Sequence, residues 1–310
     1  MRNAGRAGAD VGIVSANPMP AASHVAVVLA WCAIVSLSGC ALTAPPAESV
    51  LSATPASSAS DDPALPLAER GSRLQAAVDR AAAAALAAAK AAPTDLALAA
   101  AATTRLFEAA DLQLQRASVA FLATVPAADL ATVLAADERV DDATRTAILA
   151  LCSEGLRLAE SAAASAAAEV APQLHIGLHL SLIAWANGPA RSLFAGYGPR
   201  LVAAIDRAVA ASPEFDHGAP LRLQGRFRGK APWPYGDRPA ARAALQRALA
   251  VAPELVNHLF LGDVLAADDE VAAARDQWQR ALTAPALATP WSAPFLRELA
   301  ERRLQASGSR

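Results

Sequence analysis

The sequence predicts an all-α protein built from antiparallel helix pairs. Three observations support this. Alanine, the strongest helix former and a residue depleted in strands, fills 85 of 310 positions. No run of alternating β-branched residues appears. Helix-length apolar segments are separated at short intervals by Pro, Gly or Asp breaks. A formal charge of −2, from 27 basic and 29 acidic residues, gives no electrostatic reason to bind nucleic acid. Five His and three Cys are too few for a metal-rich or disulfide-stapled protein.

The first 39 residues read as an export signal. Arg2 and Arg6 precede an uncharged run from Val25 to Leu37. Its 13 residues have signal-peptide length, well short of the roughly 20 needed to span a bilayer. Leu37, Ser38, Gly39 and Cys40 follow. This string resembles the lipobox of bacterial lipoproteins, in which cleavage precedes the Cys and the thiol carries diacylglycerol. The resemblance implies lipidation at Cys40. With Ala41 rather than Asp next, it implies an outer-membrane anchor facing the periplasm. Residues 40–66 are the lipidated Cys and a Pro-, Ser-, Ala- and Thr-rich tether that buries too little apolar surface to order itself. As a flexible coil it reaches roughly 30 Å. The mature chain then keeps one thiol, Cys152, in the apolar stretch Ile148–Ser153 typical of a small core residue.

Residues 67–306 form the expected helical domain. One Ala-rich helix runs from Leu67 to Ala92 and stops at Pro93; Thr94 caps a second through Arg116. Pro126 starts a short helix, and Asp141 and Asp142 cap a long one to about Val170. Further helices are expected at 172–187, 199–211, 217–229, 238–251, 254–267, 270–283 and 291–306, separated by Pro172, Asn187–Pro189, Gly198–Pro199, Pro213, the 229–237 loop, Pro253, Asp268–Asp269, and Pro285 with Pro290.

The C-terminal helices repeat. Gly262, Ala274, Trp278 and Ala281 fall on the small and large positions of a tetratricopeptide unit, where Gly and Ala permit close helix approach and the aromatic fills the hole opposite. Gly225, Ala241, Leu245, Ala248 and Pro253 make a preceding unit, with Leu201, Ile205, Ala208 and Pro213 before it. Gln246–Pro253 is echoed by Asp206–Pro213 and more loosely by Gln279–Pro285. Residues 172–285 are therefore expected to stack as a tetratricopeptide-like solenoid. The strings Ser212–Gly225, Ala231–Asp237 and Asn257–Gly262 resemble periplasmic tetratricopeptide lipoproteins of the kind called the T component of TRAP transporters; Gln224 departs from the usual apolar residue. The likeness covers roughly residues 95–285. It implies a lipid-anchored protein that associates with a periplasmic solute-binding subunit, offers a hydrophobic ligand cleft and can form homo-oligomers.

Candidate chemistry is sparse. His175 and His179 stand at i and i+4 and share one helix face, but no Glu lies between them as in a zinc-protease site, so groove or core lining is expected and no metal. Trp233 and Tyr235 lie between prolines in a long turn, either plugging a groove or projecting as a knob; Trp185, Phe194 and Tyr197 are candidates to line the same array. Asp216, His217 and Asp237 read as helix caps or loop residues. Phosphate loops, nucleophile elbows and paired carboxylates are absent, and Gly71 and Gly155 are isolated. The expectation is a protein with no enzymatic activity and no cofactor, meeting the membrane through its anchor and binding a protein partner on a curved surface. Its alternatives are a general envelope-assembly scaffold and a hydrophobic small-molecule carrier.

Overall fold

The computed structural model describes residues 65–308, all within one compact unit, Glu48–Arg310. The signal, the lipobox residues Leu37, Ser38 and Gly39, Cys40 and the tether up to residue 64 lie outside the described residues. Among those described, the chain is all-helical, with twelve α-helices and no strand. No described helix is long and apolar enough to cross a membrane.

The helices are α1 (Leu67–Ala91), α2 (Leu96–Thr124), α3 (Leu130–Leu134), α4 (Asp142–Ser165), α5 (Val170–Asn187), α6 (Pro189–Phe194), α7 (Tyr197–Ala211), α8 (Phe215–Lys230), α9 (Arg238–Val251), α10 (Leu255–Ala267), α11 (Val271–Thr283) and α12 (Ala293–Ser307), with a 3₁₀ turn at Ala136–Arg139. Local chemistry sets their starts. Asp95, not Thr94, caps α2 by accepting the N–H groups of Ala97 and Leu98. Asp129 caps α3, Asp141 caps α4 and Asp237 caps α9 in the same way. The α2 helix continues to Thr124 because nothing between Arg116 and Pro126 interrupts it.

Two departures from the sequence reading stand out. A six-residue helix, α6, follows the Asn187–Gly188 break, with Pro189 as its first residue. Asp216, His217 and Gly218 take left-handed φ values of 45°, 57° and 79°. They form a left-handed turn and cap nothing; regular helix resumes at Ala219 with Pro220 in its first turn.

Packing runs mainly between successive long helices: α1 on α2, α2 on α4, α4 on α5, α5 on α7, α8 on α9, α10 on α11 and α11 on α12. The last helix then returns to the first part of the chain and packs on α2 and α3. Leu122, Leu130 and Val133 therefore share one core cluster with Leu259, Trp278 and Leu296. Phe295 joins Leu74, Leu106 and Leu112 in another. Glycines sit at the closest crossings. The Gly262 backbone lies against the fully buried Trp278 ring, Gly225 against Leu245, and Gly177 against Leu223. Gly71, against Phe295, and Gly155, against His179, have the same use.

Candidate functional site

The α5 histidines face inward. His179 is fully buried, and its Nε2–H donates to the Thr103 carbonyl of α2 at 3.1 Å. The backbone of Gly155 presses on one side of its ring and the Phe107 ring meets it edge-on at 6.1 Å. One turn earlier, His175 Nε2 lies 3.0 Å from Thr104 Oγ1. Burial pulls the His175 imidazole down to about 4, and burial together with neighbouring His175 pulls His179 down to about 3. Both rings are neutral at pH 7 and join α5 to α2. Among the described residues no group of three or more His, Cys, Asp or Glu is disposed to hold a metal.

Helices α8 and α10 also turn polar side chains toward other parts of the chain. Arg222 donates to Glu254 at 2.8 Å, to Asn257 at 3.3 Å and to the His217 carbonyl at 3.3 Å. The second Glu254 oxygen accepts the N–H groups of Leu287 and Ala288. Arg226 links Asp263 to Asp137 of the 3₁₀ turn, and Lys230 reaches Asp137 and the Leu134 carbonyl. Burial pushes the Asp137 carboxyl up, but Arg226 and Lys230 outweigh it and hold the group below the usual range. Asp263 also accepts two hydrogen bonds from Arg303 of α12, at 2.6 and 3.0 Å, and one from Trp278 Nε1 at 3.3 Å. Asp111 of α2 accepts Trp291 Nε1–H at 3.1 Å and an amide N–H of Gln115 at 3.0 Å; burial raises its carboxyl. These contacts bind α8, α10 and α12 to the α2–α3 region.

Trp185 and Tyr197 share an apolar cluster between α2, α4, α5 and α7. The Arg145 guanidinium lies over the Trp185 ring, 4.7 Å from its centre. Tyr235 is half-buried: its ring lies on the Gly198 backbone and 6.1 Å from the Phe227 ring. The loop carrying it is tightly tied. Tyr235 and Gly236 donate to the Pro232 carbonyl, and Asp237 donates to the Arg228 carbonyl while capping α9. From this held loop Trp233 projects with 90% of its surface exposed. Phe194, at the end of α6 and four residues before Gly198, is also 90% exposed.

The seven candidates thus divide three ways. His175 and His179 join helices, Trp185, Tyr197 and Tyr235 pack into the body, and Trp233 and Phe194 stand in solvent. Two surface cavities lie elsewhere. One of about 460 Å³ sits between the α2–α3 turn and the end of α12, and one of about 370 Å³ between the starts of α1 and α12. Neither is lined by any of the seven. The sequence reading missed the polar residues that tie the C-terminal helices to one another, chiefly Arg222, Asp263 and Arg303, and Asp111 of α2, which receives Trp291. Helical spacing alone does not reveal contacts between residues this distant in sequence. Comparison with known proteins found no family model that matches the chain and no curated protein that matches it.

Proposed function

We propose that this chain is a lipid-anchored, periplasm-facing scaffold of stacked tetratricopeptide-like helix pairs that docks a protein partner. By resemblance the partner is the solute-binding subunit of a TRAP transporter. The observation that carries the scaffold reading over the carrier reading is how the faces of α5, α8 and α10 are used. Those are the faces that a repeat array would turn toward a ligand cleft. Here His179 spends that face on Thr103, Arg226 on Asp137, and Asp263 on Arg303. A carrier needs an enclosed apolar volume, whereas polar networks and packed side chains occupy these faces. The close Gly262–Trp278 and Gly225–Leu245 crossings support the repeat reading, since they put small and large residues where paired repeat helices need them.

The test pairs two measurements. Intact-mass analysis of the protein purified under native conditions should give the polypeptide plus its lipid and no other bound molecule. Titration against the candidate solute-binding subunit should give the same affinity with and without its solute. A stoichiometric small molecule, lost when Trp185 or Tyr197 is replaced by Ala, would move the protein to the carrier class. Cys40→Ser should abolish palmitate labelling, and labelling that persists would remove the anchor from the account.

A further inference from the structure

We propose that the exposed aromatics Phe194 and Trp233, with Arg191 and Arg228, form a second membrane contact that seats the body on an anionic phospholipid surface. The bilayer is chosen as the occupant partly because the proposed lipid anchor keeps one in reach, and to that extent the inference rests on the reading above.

The geometry is that of two exposed rings close in the chain to one contact between loops. Tyr235 rests on Gly198, and Trp233 lies two residues before Tyr235, at most about 7 Å along the chain. Phe194 lies four residues before Gly198, at most about 14 Å along the chain. The two most exposed large apolar side chains of the described residues therefore flank one inter-loop contact. Folding keeps both in water although the loop has an ordered hydrogen-bond framework, so neither is there to complete the core. A ring with a polar N–H edge on an apolar body, such as Trp233, suits the headgroup boundary of a bilayer.

Charge selects the kind of surface. From Val170 through Ile205 the sequence contains no Asp or Glu, and from His217 through Gly236 it again contains none. These are the two segments that meet at Gly198 and Tyr235. Their arginines and lysine are otherwise neutralised by pairing: Arg200 with Glu160, Arg222 with Glu254, Arg226 with Asp137 and Asp263, and Lys230 with Asp137. Arg191, one turn before Phe194, and Arg228, close to the Trp233 loop, have no ion-pair partner among the described residues. A surface that offers fixed negative charge around an apolar interior complements this arrangement, and phosphatidylglycerol-type lipid does so.

The experiment uses residues 48–310, the compact unit, which lacks Cys40, so its outcome does not depend on lipidation. Co-sedimentation is measured with vesicles of phosphatidylethanolamine and phosphatidylglycerol, and with vesicles of phosphatidylcholine alone. Partition into the anionic vesicles is expected, with weaker partition into the neutral ones and release at high salt. Trp233→Ala and Phe194→Ala should each lower the partition coefficient about tenfold, near the low end of what burying such a ring contributes. Arg191→Gln and Arg228→Gln should each lower it about fivefold. Unchanged circular dichroism for each variant shows that the fold survives. Equal sedimentation of the wild type and the Phe194→Ala/Trp233→Ala double variant overturns the proposal, as does failure of the wild type to sediment with anionic vesicles. So does a Trp233→Ala variant that loses affinity for the solute-binding subunit and keeps its vesicle binding, which would make the rings a protein interface. Loss of palmitate labelling in the full chain bears only on the anchor.

Discussion

Acid should destabilise the protein between pH 7 and pH 5, and the two α5 histidines set the size of the effect. In the unfolded chain each imidazole titrates near 6.5, whereas in the folded protein burial lowers His175 to about 4 and His179 to about 3. A base whose folded value is depressed takes up protons on unfolding. Its contribution to stability is therefore present above pH 6.5 and is lost as pH falls toward the folded values. Between pH 7 and pH 5 this costs about 2 kcal/mol per histidine, or about 4 kcal/mol together. Glu108 and Asp111 oppose it, since burial raises both carboxyls in the folded state and so favours folding as pH falls. The net loss over this window is therefore smaller than the histidine sum. A proton at His179 Nδ1, which has no hydrogen-bond partner, would be a buried charge with nothing to receive it. Urea unfolding of residues 48–310 at pH 7 and pH 5 reads the loss, and replacing His179 with Gln should remove about half of the histidine contribution. Proton NMR of the His179 ring identifies the group directly. Titration of that ring near 6.5, or a His179→Gln variant that shows the same pH 7-to-5 change in stability as the wild type, would refute the reasoning.

Four other outcomes follow from the packing. Asp263→Ala should cost about 3–5 kcal/mol in thermal or urea unfolding, because it leaves the buried Arg303 guanidinium and the Trp278 N–H without their acceptor; a loss under about 1 kcal/mol would show the network to be dispensable. Gly155→Ala should destabilise despite the roughly 1 kcal/mol gain in helix propensity, because its Cβ meets the His179 ring and overpacking costs about 1–3 kcal/mol; a raised melting temperature would contradict that contact. Trp233→Ala should leave unfolding unchanged within about 0.5 kcal/mol, since the side chain is 90% exposed, and a larger loss would make it a plug. Cys152 is fully buried and burial pushes its thiol up, so a maleimide should label it only after denaturation; rapid native labelling would place it at the surface.

Helix limits were legible because their causes are local. Pro93, Asp141, Asp237 and Pro253 stop or cap helices by their own chemistry, and the observed elements begin or end beside them. The Gly262–Trp278 contact was legible too, since a repeat register predicts which small residue meets which large one. The short α6 was not, as six residues after a Gly-Pro break carry no periodicity. Nor was the left-handed turn at Asp216–Gly218, where only Gly218 advertises positive φ. Within the candidate site, sequence could name His175 and His179 as sharing a face but not what that face meets. Thr103 and Gly155 are distant in sequence, and the contact exists because α4 and α5 both pack beside α2. Trp233 and Tyr235 share one turn in the sequence, yet one projects and the other packs. Which one packs depends on Gly198 leaving room for a ring.

The scaffold account is tested most directly by a pull-down from the native organism's envelope with the tagged full-length protein as bait, read by mass spectrometry. The account predicts one solute-binding protein, recovered in near-equal amount and lost when the purified pair is competed with excess untagged bait. Recovery instead of outer-membrane or cell-wall assembly proteins, with no solute-binding protein among them, would contradict it.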